Sequence, residues 1–367
     1  MLALVTGSTG LVGNNLVRTL LARGEEVRVL VRQGSAPEPL AGLDVERVYG
    51  DVRERAVVRD ACRGADLVVH AAAHVQFGWS KRELHDEINV AGTRNVAEAA
   101  RDGAARMVHV SSVDTLGIRS REEPADEETP RDGHVDCPYV LSKRAAEDEV
   151  LRLVDEGLDA VIVNPAYVLG AWDWKPSSGR MLLQVASGRG VLAPSGGNDF
   201  CDVRDVCAGI LAAAEQGRRG RRYILGGEPL SYYDAWSLFA EVSGARRPLG
   251  TAAGWMVKSA GLAGDLWTRI VGSELDVNSA ATAVSMLPHH FCSDRARAEL
   301  GYRPRSAREA ARHAWSWFVD RGYARAANAT ISRGARNEGS HRRRGDSEAE
   351  VTGTGISESG SLSRRER

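Results

Sequence analysis

The sequence predicts an α/β fold: a doubly wound parallel sheet with a smaller, mainly helical cap after it. Three observations predict it. Short, β-branched apolar runs alternate with amphipathic stretches from residue 1 to about 165. A glycine-rich turn directly follows the first run. Beyond about residue 230, helical patterns continue with little strand between them.

The strand runs are 2–6, 27–31, 45–49, 67–70, 107–110 and 160–163. None alternates in polarity, as expected of parallel strands buried on both faces. Helical periodicity covers 11–23, 81–101 and 139–156. Strands separated by helices make a parallel sheet wound on both sides. Residues 165–230 are looser and rich in Gly, Pro and Ser, and helices are expected at 231–243, 251–272 and 306–322. The expected division is a nucleotide-binding region 1–165, a cap region 166–324 that partly threads back through the sheet, and a tail 325–367. The tail holds only four large apolar residues (Ile331, Val351, Ile356, Leu362) and no aromatic, so it is expected to be disordered.

Composition excludes several classes. The 367 residues carry 48 basic against 49 acidic side chains, a net charge of -1, with no general pull toward nucleic acid or anionic membrane. No run approaches the roughly 18 apolar residues of a spanning helix. The start, Met1 to Val5 and then Gly7, has no signal-peptide pattern. The five cysteines are scattered and form no C-x-x-C pair, which favours reduced thiols, a cytoplasmic place and no metal.

The first turn reads Gly7-Ser8-Thr9-Gly10-Leu11-Val12-Gly13. In such a turn the first glycine allows the bend and the second lets backbone reach a pyrophosphate. The third lets the helix pack on the strand. This points to a dinucleotide. The second run ends at Arg32, with Ser35 near, and no acid stands there to hold a ribose 2′-hydroxyl. Arg32 suits a 2′-phosphate, so NADP is preferred over NAD. Asp51-Val52 would meet the adenine, and the small residues Ala71, Ala72 and Ala73 would let the cofactor lie close.

Tyr139 and Lys143 are four apart at the start of a helix, so they share a face. An ammonium beside a phenol stabilises phenolate and makes it an acid–base group. With 8 tyrosines and four lysines in the chain, a chance Y-x-x-x-K is expected only roughly 0.09 times. Ser111 and Ser112 end another strand run, where a hydroxyl can hold a substrate oxygen.

Together these residues resemble the extended short-chain dehydrogenase/reductase family, of the NAD-dependent epimerase/dehydratase type, and its dihydroflavonol-reductase-like branch. The resemblance runs from residue 2 to about 322. Further carriers are Asn89-Val90-x-Gly92-Thr93-x-Asn95, the run Asn164 to Gly170, and the closing Asp294 to Pro304. Ser112 precedes Gly117 by five residues, which the family's catalytic hydroxyl does. The resemblance implies a Rossmann sheet, catalysis by Ser112, Tyr139 and Lys143, and cofactor contacts that add Asn89, Pro165 and Val168. It also implies a homodimer built on helices 81–101 and 139–156. Asn164 and Arg204 depart from the family's usual arginine and aspartate.

The expected activity is NADP-dependent reduction of a carbonyl, ketone or aldehyde, on a small organic molecule, with a ring-containing one among the candidates. Two alternatives use the same residues: a sugar or nucleotide-sugar epimerase that recycles bound cofactor, and a non-catalytic NADP sensor. Candidate substrate residues are His74, Phe77, Trp79, Asp114, Trp172 and Trp174, the tryptophans equally suited to packing the cap. Stretch 251–271 reads as a cap helix or helix pair, with a lid touching lipid as the alternative.

Overall fold

The computed structural model describes residues 1–325. The expectation of a disordered tail therefore concerns residues 326–367, outside those described. In chain order the strands are β1 (Leu2–Thr6), β2 (Glu26–Val31), β3 (Glu46–Tyr49), β4 (Leu67–His70), β5 (Arg106–Val110), β6 (Ala160–Pro165), β7 (Tyr167–Leu169), β8 (Leu192–Ala193), β9 (Gly197–Asp202), β10 (Arg222–Leu225), β11 (Glu228–Ser231) and β12 (Gly250–Thr251). The helices are α1 (Leu11–Ala22), α2 (Arg55–Cys62), α3 (Arg82–His85), α4 (Gly92–Asp102), α5 (Pro138–Asp155), α6 (Gly179–Ala186), α7 (Val203–Gln216), α8 (Tyr232–Ser243), α9 (Gly254–Val271), α10 (Ser279–Val284), α11 (Asp294–Leu300) and α12 (Ala307–Asp320).

Seven strands form the main sheet in the order β10-β6-β5-β4-β1-β2-β3. Every pairing in it is parallel. The β-branched runs fit because both faces are covered. One face packs on α1 and α7 through Leu16, Leu20, Val206 and Ile210. The other packs on α2, α4 and α5 through Val58, Val96 and Val150. Truncating one such fully buried leucine would cost roughly 2–5 kcal/mol. A separate apolar cluster joins α6, α8 and α12 with Phe200 of β9. That cluster is the core of the cap region.

The register aligns Thr6 with Leu30 and His70, and Val110 with Val163. The carboxyl ends of the strands therefore share one edge. The chain runs from β1 toward β3 on one side and from β4 toward β6 on the other. Its switch point lies between β1 and β4, where the crevice of such a sheet opens.

Three sequence expectations need correction. The run 45–49 is an exposed edge strand, not a strand buried on both faces, because nothing pairs beyond β3. The helix expected over 81–101 is interrupted: residues Asp86–Ala91 form a π-turn between α3 and α4. The loose region 165–230, read as without a helix, contains α7, which packs against α1; its β10 joins the main sheet beside β6, the threading back expected of the cap region. Asp202 caps α7 by accepting from the Arg204 N–H at 2.9 Å. A capping acid before an apolar periodic run was the available signal.

Candidate active site

The turn between β1 and α1 closes only with glycine at two points. Gly7 has φ of +70°, and a Cβ there would sit 2.6 Å from the Ala71 carbonyl. A Cβ on Gly13 would sit 2.3 Å from the Gly7 oxygen. Gly10 is looser, with the nearest atom 3.4 Å from an added Cβ. It lines a cleft of about 230 Å³ with Gly7, Ser8 and Thr9. Arg32 and Ser35 after β2, Asp51 and Val52 after β3, and Ala71 to His74 after β4 complete the lining.

This cleft fits a dinucleotide on its own evidence. The Ser8 hydroxyl is buried and has no partner. No side chain caps the N-terminus of α1. Both leave hydrogen-bond donors unspent where a pyrophosphate would lie. Arg28 and Arg53 are tied to Glu46 and Asp51. Arg32 has no such partner among the described residues. The Asp51 carboxylate also accepts from the Arg53 N–H at 3.0 Å. Burial would raise its pKa, but the Arg53 hydrogen bonds hold it below the ordinary value. Leu11, Val12 and Gly13, in the first turn of α1, lie outside the lining, and so do Pro165 of β6 and Val168 of β7.

Tyr139, Lys143 and Glu147 follow at four-residue spacing on one buried face of α5. The Phe77 ring meets the Tyr139 ring edge-on at 4.9 Å. Lys143 Nζ donates to the Val110 carbonyl at 3.0 Å, which ties α5 to the end of β5. Burial pushes the Lys143 pKa down to about 8, opposed by Glu147. Tyr139 is pushed up by burial and by the Asp114 carboxylate, with Ser112 opposing. The expectation that Lys143 lowers the phenol is thus corrected. In this chain the ammonium points its hydrogen bond at a backbone carbonyl, and desolvation dominates.

The Ser112 hydroxyl donates to Asp114 Oδ2 at 2.8 Å. Its oxygen accepts from the Asp114 N–H at 3.2 Å. Asp114 Oδ1 lies 3.2 Å from His134 Nε2 and 3.9 Å from His289 Nε2. The Val135 N–H donates to His134 Nδ1 at 2.8 Å, which leaves the proton on Nε2 to meet Asp114. His289 Nδ1 donates to the Leu287 carbonyl at 3.2 Å. Its Nε2 is therefore a bare lone pair, buried without a partner. Burial would raise the Asp114 pKa, but the hydrogen bond from His134 keeps it below the ordinary value. The cluster is an acceptor-rich wall beside Ser112.

A family model described as the NAD dependent epimerase/dehydratase family matches residues 3–226. The chain belongs to that family. It is 37% identical to the sterol demethylase protein B of Methylococcus capsulatus, across 88% of this chain and 99% of that protein. It is 31% identical to the 4-hydroxy-2-methyl-3-oxo-4-farnesyl-3,4-dihydroquinoline-1-oxide ketoreductase of Stigmatella aurantiaca, across 83% of this chain and 92% of that one. The solved structure of gox2253 shares 37% identity, with a TM-score of 0.77 over 88% of this chain and 98% of its own. The protein is an NAD(P)-dependent oxidoreductase of the extended short-chain dehydrogenase/reductase type.

In this epimerase/dehydratase-family enzyme the substrate-side residues separate into two groups. Phe77 packs on Tyr139, and Asp114 accepts from Ser112. His74 lines the nucleotide cleft, and its backbone N–H donates to Asn89 Oδ1 at 2.7 Å. Asn89 Nδ2 also donates to Ser142 Oγ at 2.9 Å, so Asn89 braces that loop onto α5. Trp79 donates to Ser279 Oγ at 2.7 Å. Trp172 and Trp174 pack instead against Trp317, tilted at 6.0 Å and edge-on at 5.2 Å, and the Arg18 guanidinium lies 3.4 Å above the Trp172 ring. Their place is the packing of the cap onto α1, because indole area is buried most cheaply against other rings.

Sequence reasoning missed Glu147, His134 and His289. Glu147 is fully buried and accepts from Thr115 at 2.8 Å, Asn164 at 2.7 Å and Arg222 at 2.9 Å. Asn164 also donates to the Ser112 carbonyl at 2.9 Å. The departure at Asn164 is therefore a clamp between the serine loop and this carboxylate. One further four-residue step from Lys143 was the signal for Glu147. Nothing in the spacing of Asp114, His134 and His289 links them.

Proposed function

We propose that this enzyme uses NADPH to reduce a ketone or aldehyde on an apolar, ring-containing molecule. The observation that supports it most is the placing of Tyr139 against Ser112 and Asp114, at the strand edge that also bears the nucleotide cleft. When bound, the nicotinamide supplies the hydride. Tyr139, held protonated by burial and by the Asp114 charge, gives its proton to the carbonyl oxygen. Ser112 fixes the phenol; its own proton is committed to Asp114. Lys143 would reach the nicotinamide ribose from its tether on Val110. The relatives named for a sterol and for a farnesyl quinoline oxide favour a lipophilic substrate.

The test has two arms. NADPH consumption is measured over a panel of ketones, and nucleotide is assayed after denaturing the purified protein. Turnover with an empty, dissociating site supports the reductase. Stoichiometric nucleotide carried through purification, with no net consumption, overturns it in favour of an epimerase. Arg32 carries the choice of cofactor. Changing Arg32→Glu is expected to weaken NADPH by about tenfold or more while NADH binding holds, read by fluorescence titration.

A further inference from the structure

Helix α9 has 18 residues, of which only Gly261 and Gly264 are buried. They let the helix lie directly on residues 277–282. Its other side is inverted for a protein surface. Trp255, Leu262, Leu266, Trp267 and Ile270 are between 50% and 75% exposed. At 100° per residue they span an arc of roughly 140°. Apolar patches of this kind mark binding surfaces.

The charge around this face is one-sided. The helix carries Lys258 and Arg269 on its flank. Its one acid, Asp265, turns inward and accepts from the Ser279 N–H at 3.0 Å. Glu274, just beyond the helix, accepts from the Trp79 N–H at 2.9 Å. Asp276 is paired with Arg180. Each neighbouring acid is thus spent on the chain itself, and the cations are left for an outside partner. Two tryptophans, a leucine-rich face and flanking cations suit the interface of an anionic bilayer. A twofold pairing of this helix with a second, antiparallel copy would set Lys258 against Arg269, which disfavours that occupant.

The patch also connects to the catalytic site. Asn278 donates to the Phe77 carbonyl at 2.8 Å, and Phe77 packs on Tyr139. Val75 and Trp79 of the same loop are exposed. We propose that the apolar face of α9, with Val75 and Trp79, docks the enzyme on an anionic lipid bilayer and admits a membrane-dissolved substrate toward Tyr139. The docking rests on this surface alone; the admission of substrate rests on the reductase reading. The overall net charge of -1 does not oppose it, because attraction at a membrane acts within a Debye length of the contact.

The experiment is vesicle flotation of the full chain, using phosphatidylcholine with and without phosphatidylglycerol, alongside size-exclusion chromatography. The chain should float with the phosphatidylglycerol vesicles. A Leu266→Glu/Ile270→Glu variant should lose on the order of a hundredfold in vesicle affinity. A Lys258→Glu/Arg269→Glu variant should lose about thirtyfold, and less at high salt. Thermal melts should be unchanged, since these side chains are exposed. Failure of the chain to float, or flotation unaffected in the Leu266→Glu/Ile270→Glu variant, overturns the proposal. So does a dimer that this variant splits while no vesicle binds. Turnover of a water-soluble ketone keeps the two readings apart: its absence removes the reductase and leaves the flotation result standing.

Discussion

Tyr139 and Lys143 are poised by opposite effects of the same burial. Desolvation disfavours the charged form of each, so it raises the phenol and lowers the ammonium. A Tyr139→Phe variant removes only the transferable proton. Turnover should fall by about a thousandfold or more, while NADPH affinity stays within a few-fold, measured by steady-state kinetics and fluorescence titration. Retained turnover would remove Tyr139 from the mechanism. Lys143 is a burden to the fold. Its value of about 8 in the folded chain lies below the ordinary 10.5. Between those values the unfolded chain binds the proton more tightly, so stability should rise with pH across that window. Below pH 8 both states are cationic and the penalty is felt in full. Lys143→Met should therefore abolish turnover and yet stabilise the protein by about 1–3 kcal/mol at neutral pH. Denaturant melts at several pH values check both signs. A variant less stable than the parent would mean that Lys143 is held by interactions that outweigh its desolvation.

At the scale of elements, the turn before α1 makes a sharp distinction between two glycines. Gly13→Ala drives a methyl into the Gly7 oxygen, so it should cost about 2–4 kcal/mol of stability together with nucleotide binding. Gly10→Ala has room at 3.4 Å and should leave the melting temperature nearly unchanged, while weakening NADPH through the cleft it lines. Melting curves beside nucleotide titrations separate the two. Elements such as this turn and α5 were legible in the sequence because their chemistry is local: glycine at fixed offsets, and a phenol and an ammonium one helical turn apart. The π-turn over Asp86–Ala91 was not, since it keeps helical periodicity and reveals itself only in hydrogen bonding. Nor was the Asp114–His134–His289 wall, whose members meet through three loops distant in the chain. Trp172 and Trp174 left two readings open for a related reason. Composition shows that an indole needs covering, and only the fold shows that Trp317 and Arg18 cover it.

Across the whole molecule, one carboxylate gathers the loop after β4 onto the segment between α9 and α10. Glu274, between α9 and α10, accepts from the backbone N–H groups of Trp79 and Ser80, from the Ser80 hydroxyl and from the Gln76 amide. Those donors belong to the loop that begins at His74 in the cleft and carries Phe77 onto Tyr139. Removing the carboxylate leaves the donors to water or to nothing. Glu274→Ala should therefore cost about 1–3 kcal/mol of stability. The kinetic pattern is the sharper test. The lining of the nucleotide cleft reaches the loop only at its His74 end, whereas Phe77 packs on Tyr139. Substrate KM should rise several-fold, with NADPH affinity unchanged. If NADPH binding weakened as much as KM rose, the loop would be one rigid wall of the cleft. If neither moved, Glu274 would hold the cap in place without shaping the site.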